Sequence, residues 1–412
     1  MNFDRMREVI LDKAVRGELV SQLAEDGVVA QIGNTPKEEL FPIPKSWKWC
    51  SLNMVAQVIA GQSPKGTALT TDSNDTEFHQ GKTFFGRQYI KNSGAYTNEP
   101  TKIAPKESIL LSVRAPVGAI NLTDRKICIG RGLFAIVPND QLLVKFLYFV
   151  LLTKAHELQS KSTGTTFKAV TGKVVRDLYV PVPPLKEQAR IVDKVSDALA
   201  EIDRAEKAYQ ELQTLSGVLR GQILQEAIQG KLVPQLDSEE AVEQIGDAPE
   251  DVPFAIPEKW KWVKIKSVFT MQAGKFISAS SIRTEGKVPC YGGNGLRGYV
   301  DEANRNGHFP LIGRQGALCG NVHVVNGEFY ATEHAVVVDC GTYGDPECVG
   351  LFLKAMNLNQ YATATAQPGL SVKKIVELPF PLPPKSEQVR IASKVKELMK
   401  QVEALSGLEI TS

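Results

Sequence analysis

Side chains that often carry catalysis are present in this chain, but not in the patterns that catalysis needs. An amino-methyltransferase grips its target base with Asn or Asp, two prolines and an aromatic residue. Here the pairs Pro183-Pro184 and Pro383-Pro384 follow Val or Leu and precede Leu or Lys. The glycine-rich residues 291–295 (YGGNG) lack the strand-then-helix context of a nucleotide-binding loop, and no Walker lysine motif occurs. The chain is therefore predicted not to be a catalyst itself.

The histidines and cysteines do not indicate a metal site either. The five histidines lack the spacing of metal ligands: His79, His156, His308, His323 and His334. The six cysteines form no CxxC pair: Cys50, Cys128, Cys290, Cys319, Cys340 and Cys348. This spacing gives neither a zinc site nor a disulfide framework, so we expect reduced thiols.

Composition indicates a soluble globular protein. Of 412 residues, 43% are apolar and 23% are charged, enough for two or three domains with real cores. The chain has no apolar run of about 18 residues, and residues 1–11 lack the apolar core of a secretory signal. We therefore expect no membrane span and a cytoplasmic location. The net charge of only +2 means that any affinity for DNA must come from local clusters or from partner proteins.

The sequence segments that would position functional residues occur twice in the chain. Residues 43–49 (IPKSWKW) recur as residues 256–262 (IPEKWKW), 213 positions further on. Residues 17–23 (GELVSQL) recur as residues 230–236 (GKLVPQL) at the same offset. An internal repeat of this kind decides the architecture and has to be recognised first.

A second block repeats at a different offset and encloses two inserts. Residues 181–191 (PVPPLKEQARI) return as residues 381–391 (PLPPKSEQVRI), 200 positions later. The shared frames enclose divergent inserts at roughly 50–180 and 263–380. The repeat order is circular, because the chain starts in the late part of one copy and ends in the early part of another. It predicts a pseudo-two-fold molecule whose termini lie close together.

Long helices are expected after both proline pairs, since proline is tolerated before a helix but not inside one. Residues 186–230 contain no proline. Apolar side chains recur there at steps of three and four, which is the pattern of a heptad seam. About 40 helical residues would span roughly 60 Å. Gly217 and Gly221 lower the helix propensity of the second half of this segment, where we expect a bend or break.

The C-terminal segment repeats the seam from Ile391 to Leu405. We expect the two helices to pair as an antiparallel coiled coil; the alternative is that they are core elements of one domain.

The sequence patterns of the two inserts predict mixed α/β domains. Short apolar runs at residues 109–113, 132–137 and 335–338 predict strands, and helical patterns appear near 141–160 and 346–361. The predicted fold class is α+β: two mixed α/β domains joined by two long antiparallel coiled-coil helices. The predicted boundaries are an N-terminal helical segment 1–36, domains at 37–184 and 237–384, a central helix 185–236 and a C-terminal helix 385–412.

In this duplicated order, the motifs Ile-Pro-x-x-Trp-x-Trp, Pro-x-Pro-Pro-x-x-Glu-Gln-x-Arg-Ile and Gly-x-Leu-Val-x-Gln-Leu resemble those of the specificity subunits of type I restriction-modification enzymes. The resemblance covers essentially the whole chain. It departs at residues 368–371 (PGLS), whose counterpart around residues 169–171 is loose. A different fold is therefore expected at the end of the first domain.

The resemblance implies a function and a set of partners. Each insert would be a target-recognition domain that reads half of a bipartite, asymmetric site in double-stranded DNA. The helices would hold the two domains apart; half-sites read from one face lie about 34 Å apart. Two methyltransferase subunits and the restriction (motor) subunits would dock on the chain. The resemblance implies no cofactor in this chain, because S-adenosylmethionine, ATP and Mg²⁺ would belong to the partners.

Candidate DNA-reading residues follow from residue type and place. Arg and Lys suit guanine edges and phosphates, Asn and Gln suit adenine, and glycine lets the backbone approach closely. The first insert offers Gln62, Ser63, Lys65, Arg87, Lys91, Arg114, Arg131 and Lys168. The second insert offers Lys275, Asn294, Arg297, Arg314, Gln315 and Lys373. Arg114 and Arg314 both follow an apolar run, and this equivalent placement makes them the strongest pair.

Several alternatives stay open. The four tryptophans of the repeated motif could stack on bases, but their alternation in the shared frame favours core packing on a strand. The chain could instead be a self-contained DNA methyltransferase or nuclease, or a scaffold with two ligand modules that does not bind DNA. Within the family, it could be an orphan specificity subunit.

Overall fold

The computed structural model describes residues 2–33, 36, 40–162, 169–316, 318–363 and 368–407. The chain divides into two compact units, Met1–Ala208 (unit 1) and Tyr209–Ser412 (unit 2). In the described part of the chain, no helix is long and apolar enough to cross a membrane.

Unit 1 is a mixed α/β body with short strands. Its helices are α1 (Phe3–Arg16), α2 (Leu52–Val55), α3 (Val144–Thr153), α4 (Ala155–Ser160), α5 (Gly172–Arg176) and the first part of α6 (Leu185–Ile228). Its strands are β1 (Lys48–Ser51), β2 (Ala56–Ala60), β3 (Leu69–Thr70), β4 (Thr76–His79), β5 (Tyr96–Thr97), β6 (Ile103–Ala104), β7 (Ser108–Ser112), β8 (Ile120–Thr123), β9 (Ile127–Ile129), β10 (Leu133–Pro138) and β11 (Tyr179–Val182).

Three sheets organise unit 1. The central sheet has the order β2-β10-β7-β8 and is antiparallel throughout. A second sheet has the order β3-β5-β4-β9-β6, and β1 pairs with β11 in a separate ribbon. The apolar helix α3 belongs to the same hydrophobic core as β7 and β10, and Ala14 and Val15 of α1 complete that core. The insert is therefore tied to its frame helices by one continuous core.

Unit 2 also has a ribbon beside its insert, but its strands are longer and form one main sheet. Its further helices are α7 (Ile265–Val268), α8 (Pro346–Ala355), α9 (Val372–Ile375) and α10 (Lys385–Ser406). Its strands are β12 (Lys261–Lys264), β13 (Thr270–Ala273), β14 (Val288–Gly292), β15 (Gly295–Val300), β16 (Arg305–Gly313), β17 (Val322–Ala331), β18 (Ala335–Asp339) and β19 (Pro379–Leu382). The main sheet has the order β13-β18-β16-β17-β14-β15, and β12 pairs with β19.

Each unit holds a complete copy of the repeated frame. Unit 1 joins α1 to the start of α6, where Ile191 and Val195 enter its core. Unit 2 joins the end of α6 to α10, where Ile391 and Val395 take the equivalent places. The boundary between the copies thus falls inside α6. Each copy begins with the last turns of one frame helix and ends with the first turns of the next. How the two termini lie relative to one another stays a prediction.

The first tryptophan of each repeated motif is a packing residue. Trp47 and Trp260 are each only 2% exposed, and their rings lie 6.2 Å from Phe146 and 5.8 Å from Phe352. The predicted core role is confirmed for this pair. The prediction that both tryptophans of a motif lie on one strand was wrong, because Trp47 precedes β1 and only the second tryptophan lies within it.

Helix α6 confirms the long spacer and corrects two details. It runs for 44 residues, about 66 Å at 1.5 Å per residue, and passes Gly217 and Gly221 without a break. The seam is buried at its two ends. In the middle, Leu212 is 37% exposed and Leu219 is 41% exposed, while Ser216 between them is 5% exposed. The predicted fold class and the predicted strands and helices of the inserts are confirmed.

Candidate nucleic-acid interface

Three segments of unit 1 meet at one end of its central sheet. Residues 61–63 follow β2, residues 113–114 follow β7, and residues 130–132 precede β10. Gly61 N donates to Leu133 O at 3.0 Å, Gln62 N donates to Ile129 O at 2.9 Å, and Val113 N donates to Gly132 O at 3.0 Å. We call this set of residues the loop end of unit 1.

Glycine makes this close approach of backbones possible. A Cβ atom on Gly61 would overlap the carbonyl oxygen of Gly130, and one on Gly132 would overlap that of Gln80. Ser63 Oγ lies 2.7 Å from Gln80 Oε1 and accepts a hydrogen bond from Arg131 N at 3.4 Å. The sequence did not point to Gln80, since it lies in a different part of the insert and only the fold brings it to Ser63.

A further segment closes the loop end of unit 1. Val170 N donates to Val113 O at 3.0 Å, and Arg114 pairs with Ala169 in an antiparallel bridge. The candidate Lys168 lies outside the described residues. Arg114 and Arg131 are both exposed, as are Gln62 and Lys65. The fold therefore gathers four of the predicted residues, Gln62, Ser63, Arg114 and Arg131, at one edge, with Lys65 two residues beyond.

Unit 2 builds the same loop end from residues 274–275, 314–315 and 332–334. Gly274 N donates to Ala335 O at 2.9 Å, Lys275 N to Ala331 O at 3.0 Å, and Arg314 N to His334 O at 3.0 Å. The closing segment is also repeated, because Leu370 N donates to Arg314 O at 2.9 Å and Gln315 bridges Gly369.

This repeated pairing overturns one expectation. The end of the first domain was expected to fold differently from residues 368–371. Instead, Ala169 and Gly369 make the same antiparallel bridge in their own units. The expectation was wrong because the pairing uses backbone atoms, which dissimilar side chains do not prevent.

The hairpin β14–β15 adds further candidates to the loop end of unit 2. Its tip packs so closely that a Cβ on Gly313 would overlap the carbonyl oxygen of Gly293. Asn321 Nδ2 lies 3.4 Å from Asn294 Oδ1 and 3.1 Å from His323 Nε2. Arg297 is exposed in β15, and Lys373 is exposed in α9, three residues after Leu370. His323 was missed because it lies within the long strand β17, and Asn321 was missed because only the fold brings this residue, which directly precedes β17, to Asn294.

The hydrogen bonds fix which positions are equivalent in the two units. Gln62 corresponds to Lys275, Arg131 to Glu333, and Arg114 to Gln315. The predicted equivalence of Arg114 and Arg314 was therefore wrong by one residue. Arg314 occupies the position of Val113, which is 3% exposed and belongs to the core of unit 1.

Arg87 and Lys91 lie elsewhere. Their segment runs beside β8, where Leu122 N donates to Gln88 O at 2.8 Å and Ile90 N donates to Leu122 O at 2.9 Å. The Arg87 guanidinium forms an ion pair with Asp203 of α6, which Arg7 also contacts at 3.0 Å. Arg87 thus connects the insert to its frame helices and is not part of the loop end.

The cations at the loop ends lack such partners. Among the described residues, no acidic side chain lies within 4.0 Å of the charged groups of these residues: Lys65, Arg114, Arg131, Lys275, Arg297, Arg314 and Lys373. Arg314 is half-buried, and its Nε atom makes no hydrogen bond within the described structure. Unpaired guanidinium and ammonium groups are available for phosphate or base edges.

One cluster with catalytic residue types has a structural role. His79 Nε2 lies 2.7 Å from Glu77 Oε1, and Arg125 donates to both oxygens of Glu77 at 2.7 and 2.9 Å. Burial lowers the pKa of His79 despite the neighbouring carboxylate. For Glu77, burial acts upward, but Arg125, Ser93 N and His79 outweigh it and hold its pKa below the usual range. Glu77 and His79 are 7% and 1% exposed, so a substrate has no access to them.

No group of three or more His, Cys, Asp or Glu side chains suited to a metal ion occurs within the described ranges. The two loop ends are instead hydrogen-bonded, glycine-lined sheet edges that carry exposed amides and unpaired cations. Such an edge is suited to contact with a polyanion whose groups offer hydrogen-bond acceptors and donors.

Comparison with known proteins identifies the family. The family model described as type I restriction modification DNA specificity domain matches residues 44–214 and 257–410. The chain belongs to this family. The match supports the main interpretation over the methyltransferase and scaffold alternatives.

One relative agrees with the family match, and two solved structures are also similar to the chain. The chain is 32% identical over 314 residues to the type I restriction enzyme EcoprrI specificity subunit of Escherichia coli, covering 71% of each chain. It is 30% identical to the HsdS subunit of Thermoanaerobacter tengcongensis, covering 49% of this chain and 45% of that one, with a TM-score of 0.38. The specificity subunit from M. genitalium is 19% identical, covers 91% of this chain and 94% of its own, and has a TM-score of 0.44.

Proposed function

We propose that this chain selects a bipartite, asymmetric DNA sequence, and that the loop end of each unit reads one half-site. One observation carries the proposal. The two loop ends share a backbone hydrogen-bonding pattern, yet equivalent positions hold different side chains, Arg114 against Gln315 and Gln62 against Lys275. Equal frames would approach DNA alike, while unequal side chains would read different bases.

The charge distribution supports this proposal despite the net charge of +2. Elsewhere in the units, the arginines Arg125, Arg190 and Arg390 are neutralised by carboxylates. The cations of the loop ends are not. A local excess of unpaired cations is what phosphate contact requires, and partner subunits would supply the remaining contacts.

The proposed role is recognition without catalysis. Two like frames would recruit two methyltransferase subunits, and restriction (motor) subunits would join the same complex. S-adenosylmethionine would bind to the methyltransferase subunits, and ATP and Mg²⁺ to the motor subunits. Acting on chromosomal DNA, the complex would work in the cytoplasm.

The test is a methylome map of the source cell with and without this gene. We expect a methylated motif of two defined halves separated by unspecified bases, and its loss on deletion. A motif that persists after deletion, or one without two halves, would contradict the proposal. The purified chain, incubated with DNA and labelled S-adenosylmethionine but without partners, should transfer no methyl group.

A further inference from the structure

We propose that one position in each unit, Arg114 in unit 1 and Gln315 in unit 2, selects a single base of the corresponding half-site. Arg114 would select guanine and Gln315 would select adenine. This inference rests on the proposed function and adds to it the residue and the base that it reads.

The backbone makes the two positions equivalent. Each residue is the second after the central strand that ends at Ser112 or Gly313. Each forms an antiparallel bridge to the closing segment, Arg114 with Ala169 and Gln315 with Gly369. The preceding residue accepts a hydrogen bond from that segment in both units, from Val170 N or from Leu370 N. The side chains therefore start from the same place in the two copies.

Alternation along the chain directs both side chains away from the core. Val113 is 3% exposed and lies in the core of unit 1, whereas the next residue, Arg114, is exposed. In unit 2, Arg314 is half-buried and Gln315 is exposed. Neither the Arg114 guanidinium nor the Gln315 amide makes a hydrogen bond to another described residue. Both polar groups are therefore free to contact a ligand.

The backbone at both positions is held by hydrogen bonds and by the bridge to the closing segment. Ser112 Oγ donates to Arg114 O at 3.2 Å, and the bridge to Ala169 restrains the other side of the same residue. In unit 2, Gly316 N donates to Pro368 O at 3.0 Å, directly after Gln315. Because the backbone is already ordered, binding has to order only the side-chain rotamers at these two positions.

The two side chains match different purines. A guanidinium presents two parallel N–H donors, which fit O6 and N7 of guanine in the major groove. A carboxamide presents one donor and one acceptor, which fit N7 and the N6 amino group of adenine. Each such bidentate pair discriminates against a wrong base by roughly 10- to 100-fold. One position with two side chains would thus give the two half-sites different sequences.

The test exchanges the side chains within the complete complex with methyltransferase subunits. The variants are Arg114→Gln and Gln315→Arg, and the readout is selection from duplexes randomised in both half-sites. Arg114→Gln should convert one guanine of one half-site to adenine, with a change of preference of at least about 10-fold. Gln315→Arg should convert one adenine of the other half-site to guanine. In each variant the unaltered half-site should keep its sequence.

Three further variants complete the design. Lys106→Gln removes an exposed cation at the opposite end of β7, and Asn306→Arg adds one near the opposite end of β16; neither should alter the motif. Arg114→Lys keeps the charge but loses the planar fork, so it should weaken guanine selection while overall affinity for DNA persists. Thermal unfolding of every variant checks that it is folded.

The outcomes separate this inference from the proposed function. If wild-type complex selects a bipartite motif but Arg114→Gln and Gln315→Arg leave its bases unchanged, the inference is overturned and the function stands. A uniform loss of affinity for all sequences would also overturn it, because that identifies a phosphate contact. If the wild-type complex selects no bipartite motif, the proposed function itself fails.

Discussion

At the scale of single residues, the repeated Glu-Gln-x-Arg sequence is explained by buried hydrogen bonds. Gln188 Nε2 donates to Pro183 O and Gln141 O, both at 2.8 Å, and its Oε1 accepts from Leu143 N at 2.8 Å. Gln388 makes the equivalent set of three bonds in unit 2. One amide thus satisfies three backbone groups where the frame helix starts, which only glutamine or asparagine could do.

Replacing Gln188 by alanine should therefore destabilise unit 1. Three buried backbone groups would lose their partner, and the expected loss is about 3 kcal/mol in the free energy of unfolding. Urea denaturation followed by tryptophan fluorescence measures it. Gln210→Ala is the matched control, because Gln210 is exposed on the same helix α6; it should change stability by less than about 0.5 kcal/mol.

The Glu77–His79–Arg125 cluster predicts a dependence of stability on pH. The pKa of His79 in the folded protein lies below its ordinary value of 6.5, chiefly because burial disfavours the imidazolium. The unfolded chain then binds the extra proton more readily, so this contribution is present above about pH 6.5 and is lost as the pH falls below it. The depressed pKa of Glu77 acts in the same direction at lower pH, below 4.5.

His79→Gln separates the two contributions, because glutamine keeps a donor for Glu77 but does not titrate. The free energy of unfolding of the wild type should fall between about pH 7 and pH 5. In the variant this part of the curve should be flatter, while the fall at more acidic pH remains. A variant curve with an unchanged slope above pH 5 would exclude His79 as its source.

Residue type and place predicted part of the candidate interface. Gln62, Ser63, Arg114 and Arg131 were chosen from turns and strand ends, and such positions do converge when antiparallel strands share a sheet. Arg87 had the same local signature, but its partner Asp203 is 116 positions away, a distance that no local pattern reveals. The Arg114–Arg314 alignment was wrong by one position because the register is set by backbone pairing with Ala169 and Gly369.

At the scale of elements, each frame depends on a glycine that ends a helix. Gly17 follows α1 with φ of 75°, and Gly230 follows α6 with φ of 69°. A Cβ there would overlap Pro44 in unit 1 and Pro257 in unit 2. The repeated Gly-x-Leu-Val-x-Gln-Leu sequence therefore combines a left-handed helix end with a close approach to the Ile-Pro segment.

Gly230→Ala should accordingly destabilise unit 2 by at least about 2 kcal/mol, from the left-handed backbone together with the overlap with Pro257. Gly217→Ala makes the same chemical change within α6, where a Cβ would meet nothing within 4 Å. It should stabilise the helix by up to about 1 kcal/mol. Melting temperatures of the two variants should move in opposite directions, and a shared direction would contradict this explanation.

Helix α6 also shows the limit of periodicity. The steps of three and four predicted a helix and identified its apolar side, both correctly. They could not predict that Ile191 and Ile223 are buried while Leu219 of the same seam is 41% exposed, because burial depends on what packs against each turn. A helix-weakening glycine pair likewise lowers local propensity without breaking a helix whose two ends are held in hydrophobic cores.

At the scale of the whole molecule, the duplication separates what is held constant from what differs. The frames repeat their contacts: the ion pair Asp26–Arg190 in unit 1 corresponds to Glu239–Arg390 in unit 2. The inserts keep the hydrogen bonds that anchor them, Leu52 N to Leu178 O and Ile265 N to Leu378 O. Between these anchors the loop ends carry different side chains. Each insert should therefore fold in either frame.

This interchangeability gives a test of the pseudo-two-fold arrangement that the sequence predicts. A chain in which residues 265–378 are replaced by a copy of residues 52–178 would carry the same reader twice. If the two units are related by a two-fold axis, the selected DNA should be an inverted repeat, because the symmetry of a site mirrors that of the protein. Selection from randomised duplexes, in complex with methyltransferase subunits, reads out the motif.

The reciprocal chain, with residues 265–378 in both frames, is the matched comparison and should select an inverted repeat of the other half-site. A direct repeat from both chains would mean that the units are related by translation, and the predicted two-fold would be wrong. Two unrelated half-sites from a chain with identical inserts would mean that the frames contribute to base reading. That result would contradict the separation of frame and reader on which the proposed function depends.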